Sequence, residues 1–424
     1  MNKLKEYKLN ELYNMSSGIS SSKDQAGSGY PFVSFRDIFN NTILPENLTE
    51  LMNTSEKERI KYSVKKGDVF ITRTSETPDE LAMSSVALKD YPNATFSGFA
   101  KRLRAINDKI VYDRYMAFYF RSKYFRKIIN ANTIMTLRAS FNEEMFSYIK
   151  IQLPDYDTQV KIGDMLYKIE EKILINNQIN NNLEELMKTL YQRWFIEFEF
   201  PDEDGKPYKS SGGKFIYSED LKQNIPQKWN VENCFKNKLY EIIKPGLKNF
   251  ERKNYLATGN VSENMITDGE WITYENRENR ANMQPIKNSI WFAKMKNSIK
   301  HLTLPEKSDW FINKYILSTG FLGIRCRSNS LSYLHCFIYS NYFEKVKDML
   351  AHGATQEAIN NEDLKAIKLL IPDNTILERF ENETKSIIQK QLEIEHENQR
   401  LIELKEFLLP LLMNGQINVD NIKI

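Results

Sequence analysis

Few side chains in this sequence stand where they could make or break a bond. Four histidines, His301, His335, His352 and His396, show none of the short spacings that hold a metal ion. His352 precedes Gly353 and reads as a helix end closed by a left-handed glycine; His396 lies on an acidic stretch and reads as solvated. Cys234, Cys326 and Cys336 are an odd number without a CxxC pair, which argues against both zinc and disulfides. Asp202, Asp204 and Lys206 resemble a scrambled acid-x-lysine nuclease signature. A metal-dependent nuclease needs its carboxylates on rigid neighbouring strands, and these three fall within turn-forming sequence. The phosphate-cradling GxxxxGK[ST] and the dinucleotide GxGxxG are both missing. So is the Asn/Asp-Pro-Pro-aromatic tetrapeptide of amino-methyltransferases. In a chain of 424 residues that silence argues for a binding subunit rather than an enzyme, with no catalytic residue, metal ligand or cofactor of its own.

What the sequence does offer is hydrogen-bond donors grouped just beyond apolar runs. Arg and Lys paired with guanine are the commonest base contacts in DNA. In the first half of the chain the candidates are Ser34 and Arg36, then Arg73, Thr74 and Ser75, then Lys101, Arg102 and Arg104. In the second half they are Thr258 and Asn260, then Lys294, Lys296, Asn297, Lys300 and His301.

Strands must hold these groups. A helix-like stretch, Leu4 to Tyr13, precedes a Ser- and Gly-rich loop at 16–29. Tyr30–Ile38 alternates and reads as a strand, Val69–Thr72 as a second that exits at Arg73, and Ala94–Ile106 as a third that ends in the basic cluster. A helix capped by Asp113 is expected from there to Asn130, another begins behind Asn142, and Pro154 closes the region. In the second half Asn254–Val261, Asn288–His301 and Ser318–Cys326 take the places of these three strands, which sets Lys294 near Arg73. The segment at 200–215, rich in Gly, Pro, Ser and charge, reads as an exposed connection.

Each half ends in a long helix. Ile162, Ile169, Leu183 and Leu190, with Asn176 between them, recur every seven residues, and Leu166, Ile173 and Met187, with Asn180, stand three before the next. Such alternation puts both columns on the seam of a coiled coil. Near the C-terminus Phe380, Ile387, Ile394, Leu401 and Leu408 repeat the column 218 residues later. The same offset joins Ser122 to Ser340, Tyr124-Phe125 to Tyr342-Phe343, Asn142 to Asn360, Ile149-Lys150 to Ile367-Lys368 and Pro154-Asp155 to Pro372-Asp373. A register kept over so many residues marks a duplicated unit, a globular domain followed by a helix. The fold class expected is α+β, with two tandem globular domains whose two helices pair as an antiparallel coiled coil. The boundaries expected are a first domain 1–153, a helix 154–200, a linker 201–225, a second domain 226–371, a helix 372–413 and a tail 414–424. Asn176 and Asn180 would fix register on the seam at some cost in stability, with an Asn180–Asn398 contact expected only at a midpoint.

The net charge of +3 hides a pattern. Residues 1–153 carry 23 Lys and Arg against 17 Asp and Glu, and residues 226–371 carry 21 against 15, so each is +6. The helical segments 154–200 and 372–424 carry 5 against 9 and 6 against 10, so each is −4. Two basic heads on acidic struts suit nucleic-acid binding. The start of the sequence is polar and has no signal-peptide pattern, and no apolar run approaches the length of a membrane span. A cytoplasmic protein is the expectation.

Two basic domains, each with a trailing helix, resemble the specificity subunit of a type I restriction-modification enzyme. The wording carries the likeness: GKPYKSSGGKF running into IPQKWNV, then SIWFAKMKNS and LSTGFLGI, and INNQINNNLEEL in the first helix. The resemblance implies that each domain is a target-recognition domain for one half of a split double-stranded DNA sequence. It implies that the helices space the domains and dock two methyltransferase (modification) subunits and then the translocating nuclease (restriction) subunits. S-adenosylmethionine, ATP and magnesium would belong to those partners. The alternatives are a DNA-recognition subunit of a different defence system and a coiled-coil scaffold with no DNA role.

Overall fold

A computed structural model describes residues 4–20, 23–77, 80–133, 139–262, 265–267 and 269–417. Part of the loop expected at 16–29 and most of the tail expected at 414–424 lie outside the described residues. The chain divides into two compact units, residues 1–174 with 400–424, and residues 175–399.

In the first unit a four-stranded antiparallel sheet runs in the order Tyr13–Ser17, Ala100–Ala105, Val69–Thr72, Ser84–Val86. Val69–Thr72 is buried on both faces, as a central strand of apolar residues must be. A second sheet places Ala26–Val33 between Leu51–Met52 and Thr95–Phe96, the last pairing parallel. Lys5–Lys8 pairs antiparallel with Lys150–Leu153. Tyr13, Tyr115, Tyr119, Phe120 and Phe125 fill the core. Ile162, Leu166, Ile169 and Ile173 of the first long helix, Tyr156–Tyr191, close it together with Leu408, Leu412 and Met413 of the second, Asn374–Met413.

The second unit repeats the plan of the four-stranded sheet and of the parallel pair, and adds a strand, Ala281–Met283, to the second sheet. Its first sheet runs Tyr240–Ile243, Phe321–Cys326, Ser289–Ala293, His301–Leu304, again all antiparallel. Lys253–Leu256 again pairs parallel with the strand before the hairpin, here Tyr315–Ser318. The offset of 218 is kept to the residue where the chain leaves the sheets. Lys123–Asn132 and Asn341–Leu350 are both ten-residue helices, capped by Ser122 and Ser340 through a 3.2 Å bond from the amide of Phe125 or Phe343. Lys150–Leu153 corresponds to Lys368–Ile371, which pairs with Asn230–Asn233.

The seam columns face inward within each unit. In the second unit Met187, Phe380 and Ile394 are buried, and Leu183, Leu190 and Ile387 half-buried. Asn176 is 1 % exposed and donates to the side chains of Asn398 and Glu397, both at 2.8 Å. Asn398 donates in turn to Asn177 at 2.9 Å, and Gln391 to Glu184 at 3.2 Å. Rising numbers in one helix therefore meet falling numbers in the other. The partner of Asn398 is Asn176, while the Oδ1 of Asn180 is buried without a hydrogen bond among the described residues. In the first unit Leu401 packs on the core, and Lys405 pairs with Glu170 at 2.7 Å.

Three local expectations are corrected. Leu4–Tyr13 is a strand, Lys5–Lys8, and a single helical turn, Leu9–Leu12, because pairing with Lys150–Leu153 overrides the local pattern. Tyr30–Ile38 stops being strand at Val33. Ser34 and Asp37 form a capping box that starts the helix Phe35–Asn40. The helix expected over 113–130 is two, broken before Lys123 by the Ser122 cap, and Tyr112 rather than Asp113 holds the first N-cap position. The connection after Phe200 is largely exposed, as expected, and is anchored by side-chain contacts. Tyr208 and Trp229 stack on Phe200, and the guanidinium of Arg379 donates to the carbonyls of Pro201 and Asp202. Asp202 itself is a turn former, accepting from the amides of Asp204 and Lys206.

Candidate nucleic-acid interface

In both units the strand exits meet at one end of the sheets, held by backbone bonds. In the first, the amide of Arg73 donates to the carbonyl of Phe99 (2.8 Å), that of Ser97 to Val33 (3.0 Å) and that of Gly98 to Ile19 (2.7 Å). These bonds join the exit Arg73–Ser75, the hairpin tip Ser97–Phe99 and the helix start at Ser34. In the second, Lys294 donates to Gly320 (3.0 Å) and Thr319 to Arg280 (2.9 Å), while the ammonium of Lys300 donates to the carbonyl of Thr258. The turn after Lys253–Leu256 copies the first unit's box: Ala257 donates to the Asn260 side chain at 3.0 Å, as Ser34 does to Asp37 at 2.9 Å.

The candidate donors fall into two kinds. Arg36 and Arg73 are exposed and have no side-chain partner among the described residues. Lys294 is half-buried and likewise unpaired; burial first, and then the nearby Lys244, push its pKa down. Such a cation gains from any anion or base acceptor brought to it.

The other kind is already committed within its unit. Lys101 is 7 % exposed and donates to Ser17 (3.0 Å) and Glu143 (3.1 Å). Arg102 is buried, donates to the carbonyl of Ser63 at 2.6 Å and lies over the ring of Phe96. Burial, then Arg104, lowers its pKa. Arg104 grips both oxygens of Asp68 at 2.7 and 2.6 Å, which holds its pKa up. His301 is buried against Glu344 at 2.8 Å, and desolvation pushes its pKa down. Lys296 pairs with Glu357 at 2.8 Å. The amide of Asn297, at φ 55°, donates to Asp348. Ser34 is buried as a cap, and Thr74 and Ser75 are half-buried in a short strand paired with Ala139–Ser140.

Three exposed residues at these ends were not singled out from sequence: Phe99, Lys244 and Arg280. Lys244 follows the edge strand Tyr240–Ile243, and Arg280 adjoins Ala281–Met283. A search for charge just beyond every strand would have found both. Phe99 carries no charge and gives no such signal.

Among the described residues no cluster of His, Cys, Asp and Glu could hold a metal ion, and no helix is long and apolar enough to cross a membrane. The three cysteines are buried free thiols.

Residues 1–185 match the family model described as the type I restriction modification DNA specificity domain. The chain is 23 % identical over 420 residues to the type I restriction enzyme MjaIX specificity subunit of Methanocaldococcus jannaschii, covering 94 % of this chain and 89 % of that one. It is 21 % identical to the HindI specificity subunit of Haemophilus influenzae, covering 98 % and 100 %. The fold is similar to the crystal structure of a type I restriction-modification S subunit from M. genitalium, with a TM-score of 0.57 at 12 % identity, covering 97 % and 96 %. Residues 1–185 are thus similar to the type I restriction modification DNA specificity domain, and the chain is similar along nearly its whole length to type I restriction enzyme specificity subunits.

Proposed function

We propose that this chain is the DNA sequence-specificity subunit of a type I restriction-modification complex. It reads a bipartite double-stranded target, one half-site for each unit, and is not itself an enzyme. One observation carries the reading: a single framework end recurs in both units and presents unlike free donors. Arg36 and Arg73 stand on one, and Lys294, with Lys244 and Arg280, on the other. A shared frame with different polar tips suits readers of two unlike sequences, because base edges are distinguished by donor and acceptor pattern. Phosphate contacts from the remaining surface cations position the protein without adding sequence information.

The two long helices then act as an antiparallel coiled-coil spacer. They dock two modification subunits and, through them, the translocating restriction subunits, in the cytoplasm. S-adenosylmethionine, ATP and magnesium are held by those partners. The test is methylation mapping of the host genome with and without this chain. A split motif whose methylation disappears with the chain supports the reading. Methyl transfer by the purified chain alone, or a methylome indifferent to its loss, would overturn it.

A further inference from the structure

The hairpin tip Ser97–Phe99 in the first unit is both rigid and apolar. Four backbone bonds hold it, Ser97 to Val33, Gly98 to Ile19, Ala100 to Ser97 and Arg73 to Phe99, and two more, Ile19 to Phe96 and Phe141 to Arg73, brace its flanks. A Cβ on Gly98 would lie 2.6 Å from the carbonyl oxygen of Ile19, and one on Gly18 2.2 Å from that of Ser97, so the two segments touch through bare backbone. The Ser97 hydroxyl already accepts from the amide of Phe99. The tip has little left to offer a partner except the ring of Phe99, which is 68 % exposed. Isolated exposed apolar side chains are ordinary. This one is fixed on a braced tip, bonded through its carbonyl to the free Arg73, at the end of the unit where the reading donors gather. In the second unit the residue whose carbonyl takes the same bond is Gly320. The ring is therefore a difference between two otherwise matching ends.

We propose that Phe99 is a specificity-determining residue that takes the 5-methyl group of a thymine in the first unit's half-site, beside the base read by Arg73. This rests on the proposed function. Every other recognition group in the major groove is a hydrogen-bond donor or acceptor, and the thymine methyl is the one apolar mark. A ring without hydrogen-bonding atoms selects it. The second unit, with Gly320 at that place, has no such preference there.

The experiment uses the full chain in complex with its modification subunits, on the duplex target defined by methylation mapping. Each thymine of the half-site relaxed by Arg73→Ala is replaced singly by uracil, which removes only the methyl. One replacement should weaken binding about fourfold, the worth of one buried methyl group, and that sensitivity should vanish in Phe99→Ala. Phe99→Leu keeps an apolar contact and should retain part of it. Because the ring is exposed, both variants should unfold at the parent temperature. The inference is overturned if no replacement matters, if Phe99→Ala stays equally sensitive, or if that half-site contains no thymine. It is also overturned if 2-aminopurine fluorescence shows a Phe99-dependent unstacked step, which would make the ring a wedge between base pairs. Should binding ignore both half-sites, the proposed function itself falls. Should Arg73→Ala relax one half-site while Phe99→Ala changes nothing, only this inference falls.

Discussion

Replacing Arg104 with alanine should damage the fold of the first unit and leave its sequence preference alone. The side chain gives Asp68 two charge-assisted bonds, 2.7 and 2.6 Å, and the carbonyl of Ser63 one of 3.0 Å. The Asp68 side chain is 1 % exposed and that of Arg104 31 %. Stranding a buried carboxylate by removing its cation costs about 3–5 kcal/mol. Here the exposure of Arg104 lets water into the vacated space, and Asp68 still accepts from the amide of Lys65 at 2.7 Å. Those two facts bring the loss to about 2–3 kcal/mol, the range for hydrogen bonds to charged groups. With about 2–4 °C lost per kcal/mol in a domain of some 150–250 residues, the melting temperature should fall by about 5–10 °C. Thermal unfolding followed by circular dichroism measures it, and half-site selectivity is measured on the same protein at a temperature where it remains folded. An Arg104→Ala protein as stable as the parent but relaxed in specificity would refute the division into committed and free cations.

Three further outcomes are expected. Asn176→Ala should cost about 1–3 kcal/mol in urea unfolding, because it deprives the buried Oδ1 of Asn398 of its donor; replacing both Asn176 and Asn398 with leucine should regain stability while loosening the choice of register. Burial holds the Glu395 carboxyl up to about 7 from its ordinary 4.5. The folded state therefore binds that proton more tightly, and the contribution is full below pH 4.5 and gone once the pH has risen past 7. Glu395→Gln should leave the unfolding midpoint nearly unchanged at about pH 4, below the unfolded value, and raise it at pH 8; equal shifts at both pH values would count against this. Inserting four residues after Asn182, about 6 Å of helix, should alter the unspecified gap between half-sites in the methylated motif, and an unchanged gap would sink the spacer role.

The duplication was legible because it is written in local signals. Serine caps at Ser122 and Ser340, the seven-residue columns and the strand–proline ends at Pro154 and Pro372 all keep one offset, and both long helices begin on it. The strands that carry Arg73 and Lys294 were legible for the same reason. The fate of the basic cluster was not. Arg102 and Arg104 find Ser63 and Asp68 some 36 to 41 residues away, and His301 finds Glu344 43 residues on. No periodicity records such partners, so committed and free cations look alike in the sequence. The anchors of the connection after Phe200 were hidden for a related reason. Its turn residues announce its exposure, but not Arg379, 178 residues beyond Pro201, or the aromatic stack on Phe200, which pin it down. The Ser34–Asp37 box, by contrast, was readable and was outweighed by the alternation before it.

The central claim is that each unit reads its own half of a split target. Methylation mapping of hosts carrying the parent chain, Arg73→Ala or Lys294→Ala tests it directly. A lost base contact costs about 1–3 kcal/mol and depends on the base, whereas a lost phosphate contact weakens binding to every sequence alike. The account predicts that Arg73→Ala relaxes bases in one half-site only and Lys294→Ala bases in the other only. Relaxation of the same half-site by both substitutions, or a uniform loss of methylation with the motif intact in both, would contradict it.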